Sequence, residues 1–306
     1  MSGVKLSRSG SPDVRSYGIL LLALATALLA ACSGGPSSAD QAKVRAQATA
    51  ALGQWAAAVA AAGSAPLVVP VGELTGQVGD WEAAVGDNNK QALMAGRVVT
   101  TSVLPGDARS DGGVRWQDGT TTQVAVMSAQ DAIVAIHTTA SGACQDCTDL
   151  VATGATLISG QIQTSRGPAM VPMWSFEIAG TAVKLTRVAI AKSVTVAPLA
   201  WDPIFSSVGL HVDSAAGTLG GNDITVSFVG APDPGDKPCG EDYTAEAVES
   251  DLAVVVIVTR HSHLTLGGCS AVGAKRTATA TLNEALGSRV VLNVDDGEPV
   301  PMVVGP

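Results

Sequence analysis

The sequence lacks the short motifs through which many enzymes can be recognised. It has no Gly-x-Ser-x-Gly turn, which exposes the nucleophilic serine of many hydrolases. It also has no Gly-x-x-x-x-Gly-Lys phosphate loop and no His-Glu-x-x-His zinc motif. Only four histidines are present, so a serine–histidine pair brought together in space has few candidates. The sequence therefore predicts no nucleotide site, no cofactor and no catalytic residue.

Positive charge is also scarce. The chain has 18 Lys and Arg residues against 27 Asp and Glu, a formal net charge of −9. A surface with this balance repels phosphates, and no basic stripe interleaved with aromatic residues is present. We therefore expect no nucleic-acid partner.

No apolar run is long enough to be a transmembrane helix. The longest, from Ile19 to Ala31, is shorter than the roughly 20 residues that cross a bilayer. Lys5, Arg8 and Arg15 precede it. A basic start followed by a short apolar run is typical of a secretory signal peptide.

The run ends in Leu29-Ala30-Ala31-Cys32, which resembles the lipobox of bacterial lipoproteins. The resemblance implies cleavage before Cys32, a diacylglyceryl group on its thiol, and attachment to the outer face of the cell membrane. The alternatives are an ordinary secretory signal followed by a chance cysteine, and an uncleaved anchor. Loss of residues 1–31 would change the formal net charge from −9 to −11, because three basic residues and Asp13 are removed.

Behind the leader we predict an α+β protein in three parts. Residues 32–38 form a Gly/Ser-rich flexible tether. Residues 39–196 form an α+β domain with an N-terminal helix, and residues 197–306 form a β-rich, sandwich-like domain. Short strand-like segments separated by turns dominate after residue 196, whereas helix and strand patterns alternate before it.

Two helices carry clear start signals. Residues 39–62 follow a Ser38/Gln41 capping box and stop at Gly63. An apolar stripe on this helix is expected to pack on the domain that follows it, or else the helix is an Ala-rich spacer; the stripe is Val44, Ala48, Leu52, Trp55 and Val59. Ser128 and Asp131 open a second helix that reaches about Thr139.

Several strands are predicted from alternation and turn residues. Asp118-Gly119 joins residues 115–117 and 121–126 in a hairpin. Residues 252–258 are nearly all β-branched, as in a strand buried on both faces. Pro172, inside a strand over 169–178, is expected at an edge or a bulge. Further strands are predicted over 67–71, 97–103, 150–164, 183–190, 209–213, 223–229, 277–282, 289–294 and 300–304, and a short helix over 88–95.

Four cysteines follow Cys32, and an even number outside the cell indicates two disulfides. Three pairings are possible, and the order in the chain favours Cys144–Cys147 and Cys239–Cys269. The sequence Cys144-Gln145-Asp146-Cys147 also permits a thiol redox site. Such a site works by lowering the thiolate pKa at a helix N-terminus, whereas these cysteines follow a helix, so we expect structural bridges.

The weak site candidates are two histidines and a group of carboxylates. His261 and His263 lie two residues apart on one side of a strand, as two metal ligands would. Glu246, Glu249 and Asp251 belong to an acidic group, begun by Glu241 and Asp242, that could hold calcium or act as acid and base. Solvated loop histidines and a solvated charged face explain both sets more simply, so no metal site is predicted.

The chain after Cys32 resembles the uncharacterised lipoproteins of actinobacteria. The resemblance rests on residues 171–176, 249–256 and 286–292 and implies no activity. We expect a non-enzymatic envelope protein that binds an unknown protein or small molecule or is structural. The alternative is an extracytoplasmic hydrolase. A solute-binding subunit of a transporter is less favoured, because such proteins alternate many helices with strands.

Overall fold

The computed structural model describes residues 36–63, 68–81, 89–101, 103–104, 109–140, 142–194, 196, 198–200, 208–262, 268–269 and 271–304. The predicted leader, Cys32 and His263 lie outside these residues. No helix in the described ranges is both long enough and apolar enough to cross a membrane.

The helices and strands of these ranges follow one another in chain order. The helices are α1 (Ser38–Ala62), α2 (Asn89–Met94) and α3 (Ala129–Thr138). The strands before residue 196 are β1 (Pro70–Val71), β2 (Thr75–Val78), β3 (Val98–Thr100), β4 (Arg109–Trp116), β5 (Thr121–Val126), β6 (Leu150–Thr164), β7 (Ala169–Ile178) and β8 (Lys184–Val188). The later strands are β9 (Ser214–Gly217), β10 (Asp223–Gly230), β11 (Glu241–Glu249), β12 (Ala253–Ser262), β13 (Ala274–Thr281), β14 (Val290–Leu292) and β15 (Met302–Val304).

The capping residue of α1 lies one position before the predicted one. Ser37, not Ser38, is the N-cap: its Oγ accepts a hydrogen bond from the Asp40 amide at 3.2 Å. Gly63 ends the helix at a φ of 80°, a left-handed conformation that glycine adopts without strain. Because Ser37 and Ser38 belong to the cap and first turn, they are not part of a flexible tether.

Strands β1 to β8 form one eight-stranded sheet. We call this sheet, together with helices α2 and α3, the first half of the protein (residues 68–194). Its path runs β1-β6-β7-β4-β5, with β3 parallel to β6, and β8 placed between β7 and β2. The predicted Asp118-Gly119 hairpin is present, with Arg115 opposite Thr121. Helix α3, capped by Ser128 as predicted, packs its buried residues Ile133 and Ile136 on one face of the sheet.

Pro172 lies in a central strand rather than at an edge. On one side it is opposite Ser159 of β6. On the other side, β7 pairs with β4 as far as Met170 and with β8 from Met173 onward. Pro172 thus occupies the position where the neighbouring strand changes. The Pro172 carbonyl faces the side of β4 and β8 and accepts a hydrogen bond from the Ala189 N–H. Pro172 has no N–H to donate on that side, and at this break between β4 and β8 no strand residue of the described ranges pairs with it to accept one.

Strands β9 to β15 form two smaller sheets, the second half (residues 208–304). One sheet has the order β13-β10-β9-β15 and the other β11-β12-β14. Strand β12 is buried along seven consecutive residues from Ala253 to Thr259, as the sequence predicts. Val254, Val256 and Val258 pack toward β9, β10 and β13. The alternate residues Ala253, Val255 and Ile257 face the opposite way.

Helix α1 covers that opposite face. Val44, Ala48, Leu52 and Trp55 pack against the outward side of β12 and β14. The stripe was expected to pack on the domain that follows it. It reaches Val69 and Val194 of that domain, but most of its partners belong to the second half. The helix, the three-stranded sheet and the four-stranded sheet form three layers, and the middle layer is apolar on both faces because each face has a cover.

Three differences in strand position have simple causes. Residues 209–213 form no strand; Val212 instead bonds through its backbone to the side chain of Asn293, and strand β9 begins at Ser214. Strand β11 was not predicted. Its residues Tyr243, Ala245 and Ala247 alternate toward the core, but the glutamates between and beside them make the segment look like a solvated acidic stretch. The four-residue strand β2 lacks any apolar alternation.

Both predicted disulfides are present. Cys144 pairs with Cys147 and Cys239 with Cys269, each with Cα atoms 5.6 Å apart. The fold class is α+β with a β-rich, sandwich-like part, as predicted. Residues 36–306 group into one compact unit, and the change from the first sheet to the smaller sheets falls between β8 and β9. The existence of separate domains divided at residue 196 stays a prediction.

Candidate functional site

The main candidate site is a cavity of about 610 Å³ bounded by helix α1 and by both halves of the protein. Small-molecule sites in proteins have volumes of about 300–1,000 Å³ and mostly apolar walls. We call it the apolar cavity. Its apolar lining residues are Trp55, Val59, Val69, Trp116, Leu219, Leu252, Leu286, Val290 and Met302. Its polar lining residues are Thr164, Ser165, Arg166, Asp251, Ser288 and Arg289, with Gly287 completing the wall.

The first half contributes two neighbouring turns to this wall. The Trp116 indole N–H donates to Thr164 Oγ1 at 3.2 Å, and Thr164 Oγ1 donates to the Gly167 carbonyl at 2.6 Å. The Arg166 guanidinium lies 4.7 Å from the centre of the Trp116 ring, within cation–π range. These contacts fix the indole plane, so this wall is formed before any ligand binds.

Arg166 is neutralised within the same wall. Its Nη2 donates to Asp118 Oδ2 at 2.9 Å and to Thr120 Oγ1 at 2.8 Å. The pKa of Asp118 is lowered, first by hydrogen bonds from Thr120 and then by Arg166. Arg166 therefore adds little free positive charge to the cavity.

The second half contributes an ion pair that is largely shielded from solvent. Arg289 Nη1 lies 2.7 Å from Glu249 Oε2, and the two side chains are only 9% and 12% exposed. The remaining Arg289 nitrogens donate to the carbonyls of Glu284, Ala285 and Leu286. Burial acts to raise the pKa of Glu249, but hydrogen bonds from Asn283 and Arg289 outweigh burial, so its pKa is lowered. This pair holds the 284–289 loop in place.

The net electrostatic character of the apolar cavity follows from these pairs. Both arginines already have carboxylate partners, whereas Asp251 has no described ion-pair partner. Leu252 and Leu219 remain 42% and 36% exposed, so apolar surface is open at the wall. The cavity thus suits a neutral or cationic apolar molecule better than an anionic one.

The described lining contains hydroxyl groups but no histidine that could activate them. The hydroxyl groups are those of Thr164, Ser165 and Ser288. A serine needs an adjacent base to act as a nucleophile. Of the carboxylates that the sequence offers as an acid or a base, Glu249 is engaged with Arg289 and Asn283, whereas Asp251 lines the cavity.

The structure does not gather the predicted weak candidates in one place. Glu246 faces helix α1 and pairs with Arg45 at 2.6 Å. His261 Nε2 lies 2.8 Å from Thr244 Oγ1, across strands β11 and β12. Glu249 supports the loop beside the apolar cavity, and only Asp251 lines it. His263 lies outside the described residues, as does Cys32.

The two disulfides lie in different surroundings. The Cys144–Cys147 bridge follows helix α3, with Cys147 buried against the first sheet, and the Arg97 guanidinium donates to the Cys144 carbonyl at 3.4 Å. Cys239 and Cys269 line a separate cavity of about 600 Å³. Cys239 has a φ of 61°, unusual for a residue other than glycine. Neither position identifies a reaction.

Sequence reasoning missed a second polar group, at the end of strand β14. His211 Nδ1 lies 2.8 Å from Asp295 Oδ2, and Asp296 is adjacent. The hydrogen bond that the protonated His211 ring donates to Asp295 raises the pKa of His211. Burial raises the pKa of Asp296, and burial together with Asp296 raises that of Glu298. The sequence contains only the signal for a turn, Asp295-Asp296-Gly297, and nothing that links it to His211.

Comparisons of the chain with protein-family models, with curated proteins and with solved structures find no match.

Proposed function

We propose that this protein is an extracytoplasmic lipoprotein, attached to the outer face of the cell membrane through Cys32, that binds an apolar small molecule in the apolar cavity. The observation that carries the binding function is the wall of Trp55, Trp116 and Leu252, in which the Trp116 indole is held by a hydrogen bond and Leu252 is partly open to solvent. The anchor rests on the Leu29-Ala30-Ala31-Cys32 sequence.

Two features support binding over catalysis. The described lining offers hydroxyl groups without a histidine to activate them, and its arginines are already paired. Aromatic and aliphatic walls with a few fixed polar groups are the usual composition of a ligand site. The ligand class that fits is a neutral or cationic molecule with an apolar body, since Asp251 is the lining charge without a described partner.

The binding proposal can be tested with a neutral hydrophobic fluorophore, Nile red, and a chain that begins at Ser33 and contains the compact unit. We expect saturable binding by the wild type. Leu252→Glu should weaken it at least about tenfold, because it places a charge on the apolar wall. The matched control is Val134→Glu on α3, a side chain 52% exposed and outside the cavity lining, which should bind like the wild type. Equal binding by both variants would refute the assignment of the cavity.

The anchor is tested separately in producing cells. Replacement of Cys32 by Ala should release the protein from the membrane fraction or stall its processing, because the acyl chains are lost. Membrane retention and an N-terminus that do not change would contradict the anchor and leave the binding result unaffected.

The hydrolase alternative makes a distinct prediction. If the apolar cavity is an active site, then Ser165→Ala or Ser288→Ala abolishes turnover of an ester substrate, while Nile red binding remains. If the cavity binds without reaction, the wild type and both variants show no ester turnover above the uncatalysed rate.

A further inference from the structure

The His211 group lies on two segments that a buried side chain holds together. The Asn293 amide, only 4% exposed, accepts from the Val212 N–H at 2.9 Å through Oδ1 and donates to the Val212 carbonyl at 3.2 Å through Nδ2. His211 is one position before Val212 and Asp295 is two positions after Asn293, so this contact holds the two backbone segments at a fixed separation. This arrangement places His211 beside Asp295 without help from either side chain.

The turn itself is also fixed. The Gly297 N–H donates to the Asn293 carbonyl, and the Asn293 N–H donates to the Glu298 carbonyl. Gly297 has a φ of 75°, and a Cβ there would lie 3.1 Å from Leu199 Cδ1. Only glycine fits this position without strain. The two aspartates before it consequently project from a rigid support.

Three potential ligand atoms converge at this place. One ring nitrogen of His211 and one carboxylate oxygen each of Asp295 and Asp296 lie within 4.8 Å of one another. Zinc–ligand bonds of about 2.0–2.1 Å separate neighbouring tetrahedral ligands by about 3.3 Å. The 2.8 Å contact between His211 and Asp295 would open by about 0.5 Å to admit the ion, a change within reach of side-chain rotation.

The surrounding charge and space agree with a cation. Asp213 and Glu298 add their negative charge to the group. Among the described residues, His211 is the basic side chain whose charge acts to lower the pKa of Asp296 and of Glu298. A cavity of about 400 Å³ opens beside the group and is lined by His211, Asp296 and Glu298. A three-ligand site needs such space for a water or a ligand atom in the remaining position.

We propose that His211, Asp295 and Asp296 form a binding site for a divalent transition-metal ion of the zinc type. The imidazole nitrogen distinguishes this ion from calcium and magnesium, which prefer ligands made only of oxygen. The site is separate from the apolar cavity: the two share no lining residue.

The test is titration of the chelator-stripped full chain with ZnCl₂ by calorimetry. We expect one Zn²⁺ per chain at this site, and an affinity at least about tenfold lower in His211→Ala and in Asp296→Asn. Asp296→Asn retains an oxygen that can accept from the Glu298 N–H, so the turn is preserved. His261→Ala is the matched control, since it removes another histidine that pairs with a side-chain oxygen.

Thermal unfolding provides a second measurement that does not depend on the heat of binding. Because an ion that binds only the folded state stabilises it, Zn²⁺ should raise the melting temperature of the wild type and of His261→Ala, but not of His211→Ala. An absence of Zn²⁺ binding, equal binding by His211→Ala and the wild type, or Ca²⁺ binding as tight as that of Zn²⁺ would each overturn the proposal.

Discussion

The two halves of this protein cover their central strands in different ways. In the first half, strand β7 is covered by helix α3, which follows β5 and lies in the same stretch of chain. In the second half, strand β12 receives its outer cover from helix α1, about 200 residues earlier in the chain. The first half supplies its own helical cover, whereas the second half depends on a segment that precedes the first. We therefore expect α1 to control the stability of the second half selectively.

The largest expected effect is that of Trp55→Ala. The side chain is 1% exposed and lies against β12, so its removal should lower the free energy of unfolding by about 3–5 kcal/mol. Hydrogen exchange should show the loss of protection in strands β11, β12 and β14, with β6 and β7 little changed. Thr49→Ala, on the exposed face of α1, is the control and should have almost no effect. Equal loss of protection in both halves would refute the comparison.

The next effect is that of the long-range disulfide. The Cys239–Cys269 bridge closes a sequence separation of 30 residues, and its replacement by two serines should cost roughly 3–4 kcal/mol in the chain-entropy model. The Cys144–Cys147 bridge in the first half closes a separation of 3 residues and should contribute much less. Chemical denaturation of the two double-serine variants measures the difference. Costs of equal size would show that strain or local packing, rather than loop length, sets the contribution.

A smaller effect is expected for the shielded carboxylate of β11. Glu249→Gln should cost about 2–3 kcal/mol, because Arg289 loses its partner while the amide retains part of the hydrogen bonding. Glu246→Gln on the same strand should change stability little, since its pair with Arg45 is exposed. Urea unfolding of both variants makes the comparison.

The same pair predicts a dependence on pH. The pKa of Glu249 is lower in the folded protein than its ordinary value, so its contribution is complete above the unfolded pKa. The contribution is lost as the pH falls through the folded pKa. The stability difference between the wild type and Glu249→Gln should therefore shrink as the solution is acidified. A difference that stays constant down to the lowest pH would contradict the role assigned to the ionised carboxylate.

Local signals explain what the sequence predicted correctly. The Asp118-Gly119 hairpin, strands β6 and β7, the Ser128 cap and the double burial of β12 each depend on neighbouring residues. The apolar cavity could not be predicted, because Trp55, Trp116 and Leu252 come together only when α1 packs across the second half. His211 and Asp295 are likewise 84 residues apart and are joined through Asn293.

The α1 cap shows the same limit at the scale of one residue. Asp40 lies three positions after Ser37, and Gln41 lies three positions after Ser38. The sequence therefore contains two overlapping capping boxes. The structure uses the first box, in which Ser37 Oγ also donates to Asp40 Oδ2 at 2.7 Å.

The smallest expected effect tests both the assignment of Ser37 as the N-cap and the selective control of the second half by α1. Ser37→Ala should cost about 1 kcal/mol, because the Asp40 amide loses its acceptor, whereas Ser38→Ala should cost almost nothing. Ser128→Ala removes the equivalent bond to the Asp131 amide of α3 and should cost about the same as Ser37→Ala. In hydrogen exchange, Ser37→Ala should reduce protection in the second half of the protein, and Ser128→Ala should reduce protection in the first half. If Ser38→Ala is the costlier of the two α1 variants, then the helix begins one residue later. If Ser37→Ala and Ser128→Ala reduce protection in the same strands, then the two halves unfold as one unit, and α1 has no selective control over β12.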